Sequence, residues 1–475
     1  MMAQIYPQTT QDAANLGVAA LVGSITGQLV FGAIGDRLGR RTAFIVTLAL
    51  IVLGSLGSAT VTDGGAVGIY TQLCLWRGVL GFGVGGEYPL AASITAEGAS
   101  SHGRGRALAS VFAMQGVGKL MAASVNSIVT STTSLPLDAA WRISLALGAA
   151  PGLLTLYWRW QREESEHYTR LTTAATATSP IAAAATATAT TATGMAAAAP
   201  ATGISFAATA ALLWHYRWRL LGTAGCWFLI DVTFYGQGLF SGTVLHAAGV
   251  GGAAKASMTR EELTDVAIGS LILVCIALPG YFVSIFTVDG CMGRRGVQFM
   301  GFAASTVVFL TLGAAYKPLV AVPGAFIFLY GLTYFFANWG ANTSTFLMPA
   351  ESFPTRARAT AHGISAATGK LGATLGSYGL PYLLVMYGTD ADSKARGLVV
   401  IMYVCAGVCA LGVVWTLLTV ETRGLVFETM DAHHETSSVT GGAPSCDDAS
   451  SDDVSVIVAA AAAIELPPRA GTPQP

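Results

Sequence analysis

The stretch WRLLGTAGCWFLIDVTFYGQGLFS, from Trp218 to Ser241, decides how the rest of this sequence is interpreted. It is apolar enough to span a bilayer, which takes about 20 residues. Asp231 lies eleven residues after Leu220, so a rise of about 1.5 Å per residue puts it near mid-membrane. Trp227, Asp231 and Tyr235 follow an i, i+4, i+8 spacing and share one helix face. Such an intramembrane acid usually faces a cavity or a substrate path; the alternative is a structural Asp paired to a neighbouring helix.

The composition excludes a soluble globular protein. Of 475 residues, 53% are hydrophobic and only 11% are charged. Eleven apolar windows are long enough to span a membrane: 15–35, 42–60, 66–95, 107–130, 141–158, 220–241, 266–288, 296–315, 319–348, 359–387 and 397–419. The sequence therefore predicts an all-α multi-pass membrane protein in a lipid bilayer. The seven cysteines show no metal-ligand spacing, and no motif indicates a cofactor or nucleic acid.

The connections between these windows alternate in charge. Fifteen arginines fall in alternate connections, and the opposite connections hold only six basic residues. The positive-inside rule assigns the first set to the cytoplasm. The predicted organisation is then an extracytoplasmic segment (1–14), a half of five helices (15–160), a cytoplasmic Ala/Thr-rich linker (161–217), a half of six helices (218–420) and a disordered cytoplasmic tail (421–475).

Two parts of the chain carry the same landmarks in the same order. Four pairs are separated by 253, 254, 252 and 251 residues: Asp36 and Asp289, Glu97 and Glu351, Arg104 and Arg356, Lys119 and Lys370. This spacing predicts two pseudo-symmetric halves, an architecture of transporters with a substrate site between the halves. The turns GDRLGRR and DGCMGRR supply candidate gating residues: Asp36, Arg40, Arg41, Asp289, Arg294 and Arg295.

A second intramembrane charge suggests the chemistry of the site. Lys370 lies twelve residues beyond Arg358, near mid-bilayer, where a lysine must be deprotonated, paired or bound to an anion. Amide, phenol and indole donors together with a lysine suit an oxyanion, whereas the carboxylates Asp231 and Glu87 suit proton coupling. Together they predict proton-coupled uptake of a small anion. We expect Lys119 to matter less than Lys370.

Four motifs resemble one family. These are GGEYPL from Gly85 to Leu90, MQG from Met114 to Gly116, WFLIDVTFY from Trp227 to Tyr235, and the run from Phe336 to Lys370. They are similar to the phosphate:proton symporters of the major facilitator superfamily, found in plants, fungi and algae. The resemblance implies twelve helices around a central phosphate site. Its substrate-binding residues would be Tyr88, Gln115, Trp227, Asp231, Tyr235, Asn342 and Lys370, with Asp231 and Glu87 in proton coupling.

The expected function is secondary active, proton-coupled uptake of inorganic phosphate, in the plasma membrane. Relatives with Glu at the position of Glu87 carry glycerophosphodiesters, so a transporter of these, of another organic anion or of a sugar is an alternative. A non-transporting phosphate sensor or an inactive truncated form is another. An enzyme is not expected, since no nucleophile–base pair or metal-ligand spacing occurs. The sequence carries no signal for an oligomeric state.

The repeat also predicts that this sequence begins one helix late. An offset of about 253 residues maps the helix 220–241 to positions before Met1, and maps 266–288 onto 13–35. We therefore expect eleven of twelve helices here, with an upstream segment of about 20 apolar residues that contains an Asp. A true eleven-helix protein, whose first helix acts as a reverse signal-anchor, is the alternative.

Overall fold

Helices make up the regular structure of the described residues, which in this computed structural model are 1–166, 168–170, 206–247, 259–388, 390–427 and 430–431. Residues 1–425 belong to one compact unit, and the few described residues after Leu425 belong to a separate one. The α-helices of the first unit are α1 (Thr10–Leu38), α2 (Arg40–Ala59), α3 (Ile69–Gly98), α4 (Arg104–Ser131), α5 (Leu137–Ala146), α6 (Ala150–Gln161), α7 (Phe206–His215), α8 (Arg217–Ala247), α9 (Arg260–Thr287), α10 (Gly293–Ala314), α11 (Tyr316–Val320), α12 (Pro323–Trp339), α13 (Ala341–Ser352), α14 (Arg358–Tyr387) and α15 (Ala391–Trp415).

The predicted duplication is visible in the helix starts. Paired helices begin 253 or 254 residues apart: α2 and α10 at Arg40 and Gly293, α3 and α12 at Ile69 and Pro323, α4 and α14 at Arg104 and Arg358, α5 and α15 at Leu137 and Ala391. Across the halves, α1 packs on α14 and α4 packs on α9. The prediction of two pseudo-symmetric helical halves is confirmed.

The eleven predicted spans all correspond to long helices or helix pairs. Seven are long and apolar enough to cross a membrane: α1, α2, α4, α5 with α6, α9, α10 and α15. The other four are α3, α8, α12 with α13, and α14. These four carry Glu87, Asp231, Asn342 and Lys370. The pair α12 and α13 is divided at Gly340 into helices of 17 and 12 residues, each shorter than a full span.

Several boundaries differ from the predicted ones. Helix α1 begins at Thr10, five residues early, because Thr9 and Asp12 form a capping box in which each side chain accepts a backbone N–H of the other, at 3.1 and 3.0 Å. The linker range contains α7, and the tail range begins with residues that make the contacts described below. Residues 171–205 and 432–475 lie outside the described residues, so the disorder predicted for them stays a prediction.

Glycines on α14 set the distance to α8. A Cβ on Gly372 or Gly376 would collide with the main-chain oxygens of Phe228 and Val232. Small residues at such a contact let two membrane helices approach closely. This close approach brings Lys370 of α14 within reach of α8.

Candidate functional site

A buried ion pair between α8 and α14 forms the centre of the candidate site. The Nζ of Lys370 donates to Oδ2 of Asp231 at 2.8 Å and to the hydroxyl oxygen of Tyr235 at 2.9 Å. The side chains of Lys370 and Asp231 are 5% and 1% exposed. Each charge therefore has the partner that a charge in a low-dielectric interior requires.

Aromatic rings surround the Lys370 ammonium. Its nitrogen lies 4.3 Å from the ring centroid of Tyr235 and 5.5 Å from that of Tyr88, so both rings are within cation–π range. The Trp227 ring lies 6.1 Å from the Tyr88 ring and is buried. Helix α3 thus contributes Tyr88 to the same cluster as Trp227 and Tyr235 of α8.

Amide side chains lie next to the Tyr88 hydroxyl. The Nε2 of Gln115 donates to the Tyr88 hydroxyl at 3.1 Å, and Nδ2 of Asn342 lies 3.5 Å from Oε1 of Gln115. Asn342 also donates to Oδ1 of Asn338 at 2.8 Å. The seven residues predicted to bind substrate are therefore brought together, although five different helices supply them.

A cavity of about 380 Å³ adjoins this cluster. Its lining includes Tyr235, Tyr281, Asn338 and Lys119. The Nζ of Lys119 lies 3.9 Å from the ring centroid of Phe234. Along α9 the lining extends from Tyr281 to Ser270, away from the arginine-rich turn that follows this helix. Under the predicted topology the cavity therefore extends towards the extracytoplasmic side.

The arginine-rich end is closed by two reciprocal contacts between the halves. Oδ2 of Asp36 accepts the backbone N–H of Thr360, in the first turn of α14, at 2.7 Å. Oδ2 of Asp289 accepts the backbone N–H of Arg106, in the first turn of α4, at 2.8 Å. Asp36 lies in the last turn of α1 and Asp289 lies two residues after α9. Each acid caps the start of a helix of the other half, where the helix dipole favours a negative charge.

Buried arginines reinforce this closed end. Oε1 of Glu97 lies 3.1 Å from both Arg40 and Arg358, so one carboxylate joins the two halves. In the second half, Arg294 donates twice to Glu351, each time at 2.9 Å. The sequence identifies Glu97 and Glu351 only as landmarks of the repeat.

Arg41 and Arg295 take part mainly through their backbones. Their N–H groups donate to Glu164 at 3.1 Å and to Glu421 at 3.0 Å. These acids cap the first turns of α2 and α10. The predicted gating residues therefore occupy matching positions in the two halves, but the Arg41 side chain lies at the exposed rim.

Glu87 lies apart from the central cluster. Its carboxylate pairs with Arg159 of α6 and accepts the Thr47 hydroxyl at 3.0 Å. Consecutive helix residues point about 100° apart, so Tyr88 faces the cluster while Glu87 faces α2 and α6. Among the described residues, the structure connects Glu87 to its own half and not to Asp231.

Two residues of the cluster were missed by the sequence analysis. Tyr281 donates to Oε1 of Gln115 at 2.7 Å. The buried His362 ring lies 5.4 Å from the Trp227 ring. His362 lies eight residues before Lys370 on the same helix face, and this spacing could have identified it.

Known proteins resemble this chain over most of its length. The profile of the family described as "Sugar (and other) transporter" matches residues 3–433. A probable inorganic phosphate transporter 1-6 of Arabidopsis thaliana is 35% identical over 451 residues, covering 90% of this chain and 85% of the relative. Inorganic phosphate transporter 1-1 of Oryza sativa subsp. japonica is 37% identical, covering 88% and 84%.

Solved structures share the fold. The proton:xylose symporter XylE bound to 6-bromo-6-deoxy-D-glucose superposes with a TM-score of 0.65 at 22% identity, covering 91% of this chain and 92% of that one. The human organic anion transporter MFSD10 gives 0.57 at 15% identity, covering 85% and 83%.

Proposed function

Because the chain belongs to the sugar (and other) transporter family of the major facilitator superfamily, we propose that it takes up inorganic phosphate across a membrane together with protons. The observation that carries this proposal is the buried Asp231–Lys370 pair beside a cavity whose lining includes Lys119, Tyr235 and Asn338. The names of the plant relatives concern inorganic phosphate. We place the protein in the plasma membrane, as a multi-pass protein.

The donors suit a tetrahedral oxyanion. Lys370 supplies a positive charge, and the hydroxyls of Tyr88 and Tyr235 and the amides of Gln115 and Asn342 supply hydrogen bonds. Charge-assisted hydrogen bonds to an anion are about twice as strong as neutral ones. Phosphate oxygens can therefore compete for the Lys370 ammonium, which Asp231 holds in the present structure.

This competition for Lys370 couples phosphate binding to protonation of Asp231. When phosphate takes Lys370, the Asp231 carboxylate loses its charged partner while it stays buried. A buried unpaired charge is costly, so binding a proton stabilises the loaded site. Proton and phosphate then enter together, and release of one favours release of the other.

The closed end would act as the gate. In the proposed cycle, binding of phosphate and a proton weakens the contacts that Asp36 and Asp289 make between the halves. Glu97 then no longer bridges Arg40 and Arg358. Glu87 and Arg159 lie in the first half alone, so we propose that Glu87 influences coupling indirectly, through the packing of α2, α3 and α6.

Uptake of labelled phosphate into proteoliposomes, with and without an imposed inward proton gradient, tests the proposal. We expect accumulation above the external concentration only with the gradient. Excess glycerophosphocholine or xylose should compete poorly. Strong competition by either would assign the site to phosphodiesters or sugars, and phosphate binding without any uptake would indicate a sensor.

A further inference from the structure

A second intramembrane lysine lines the cavity and has no part in the Asp231–Lys370 ion pair. Lys119 of α4 lines the cavity together with Tyr235, and its ammonium lies 3.9 Å from the Phe234 ring centroid. Among the described residues, no carboxylate lies within ion-pair distance of Lys119, whereas Asp231 is held by Lys370 at 2.8 Å. An intramembrane lysine of this kind marks an anion or a substrate path.

The charges around the cavity can be summed. Asp231, Lys370 and Lys119 together carry one positive charge when Asp231 is ionised. They carry two when Asp231 holds the coupled proton. Lys119 is close enough to Lys370 and Asp231 to interact electrostatically with both, so the two ammonium groups repel each other. An anion that contacts both lysines relieves this repulsion.

We propose that Lys119 contacts the substrate as a second cation and makes the site selective for doubly charged tetrahedral oxyanions, hydrogen phosphate in particular. This inference rests on the proposed phosphate transport and adds the charge state of the bound substrate. A dianion neutralises the two lysines when Asp231 is protonated, so the loaded site carries no net charge. A site with Lys370 alone would be neutral with a monoanion instead.

Binding to purified protein tests this selectivity. The ligands are inorganic phosphate, at a pH above its second ionisation, and hypophosphite, a tetrahedral phosphorus oxyanion that carries one charge. Lys119→Met keeps an unbranched side chain of similar length and removes the charge that lies over the Phe234 ring. Lys119→Arg keeps the charge. Lys317→Met is the matched control, because Lys317 is exposed on α11, outside the cavity.

The Lys119→Met variant should bind phosphate about tenfold or more weakly, the effect of one lost charged hydrogen bond. Its hypophosphite affinity should change by less than about threefold, and Lys119→Arg should retain most of the phosphate affinity. If Lys119→Met does not fold, the Lys119→Arg and Lys119→Gln pair provides the same comparison.

Three results would overturn the inference: unchanged phosphate binding, an equal loss for both ligands, or an arginine variant as weak as the methionine variant. Each of these leaves phosphate binding by the wild-type protein intact and so spares the proposed function. Wild-type protein that binds no phosphate contradicts the proposed function itself.

Discussion

Replacement of Lys370 by methionine removes the central charge and keeps the length of the side chain. Its ammonium donates to Asp231 at 2.8 Å and to Tyr235 at 2.9 Å. Loss of one charged hydrogen bond to phosphate is worth about 1.5–3 kcal/mol, which is about ten- to 150-fold in Kd. In addition, Asp231 stays buried without a partner, which costs about 3–5 kcal/mol of folding stability. We therefore expect phosphate affinity and stability to fall together.

A double variant separates the two effects. Asp231→Asn combined with Lys370→Met leaves no unpaired charge, so it should recover most of the lost stability and none of the lost affinity. Calorimetric titration with phosphate and denaturant unfolding measure the two quantities, with Lys317→Met as the exposed control. The reasoning is refuted if Lys370→Met binds phosphate within about threefold of wild type, or if the double variant is less stable than the single one.

Three further changes test the packing, the Glu87 pair and the gate. Gly372→Ala should lower the thermal unfolding temperature because its Cβ meets the Phe228 backbone. Gly379→Ala is the control: its Cβ meets only a Leu375 methyl at 3.8 Å, so it should keep or raise the unfolding temperature. Equal shifts for the two variants would contradict the close packing of α14 on α8. Glu87→Asp should retain uptake because it keeps the charge that pairs with Arg159. Equal loss of uptake with Asp and with Gln would contradict a role for this charge. Asp36→Ala should lose uptake and keep phosphate affinity within about threefold, because Asp36 contacts α14 far from the cavity; a parallel loss of binding would argue against a gate.

Much of the architecture could be predicted from the sequence. The apolar windows predict the membrane helices, and the spacing of Asp36 and Asp289 predicts the two duplicated halves. The i, i+4, i+8 spacing of Trp227, Asp231 and Tyr235 placed these residues on one face, and the structure confirms that α8 brings all three to the cluster.

The contacts between helices could not be predicted in the same way. Each residue turns the side chain by about 100°, so the orientation of Glu87 depends on how α3 is rotated against α2 and α6. The position of Lys119 in the cavity, and that of Tyr281 beside Gln115, depends on how α4 packs against α9 of the other half. Sequence spacing within one helix carries no information about that rotation.

Simultaneous recording of labelled phosphate uptake and internal pH in proteoliposomes tests the central claim most directly, with wild type and Asp231→Asn side by side. Asparagine keeps the size and hydrogen bonding of Asp231 and removes its titration. We expect wild type to accumulate phosphate and acidify the interior, whereas Asp231→Asn should still bind phosphate, equilibrate it at most and move no protons. An Asp231→Asn protein that concentrates phosphate and acidifies the interior as wild type does would contradict the account.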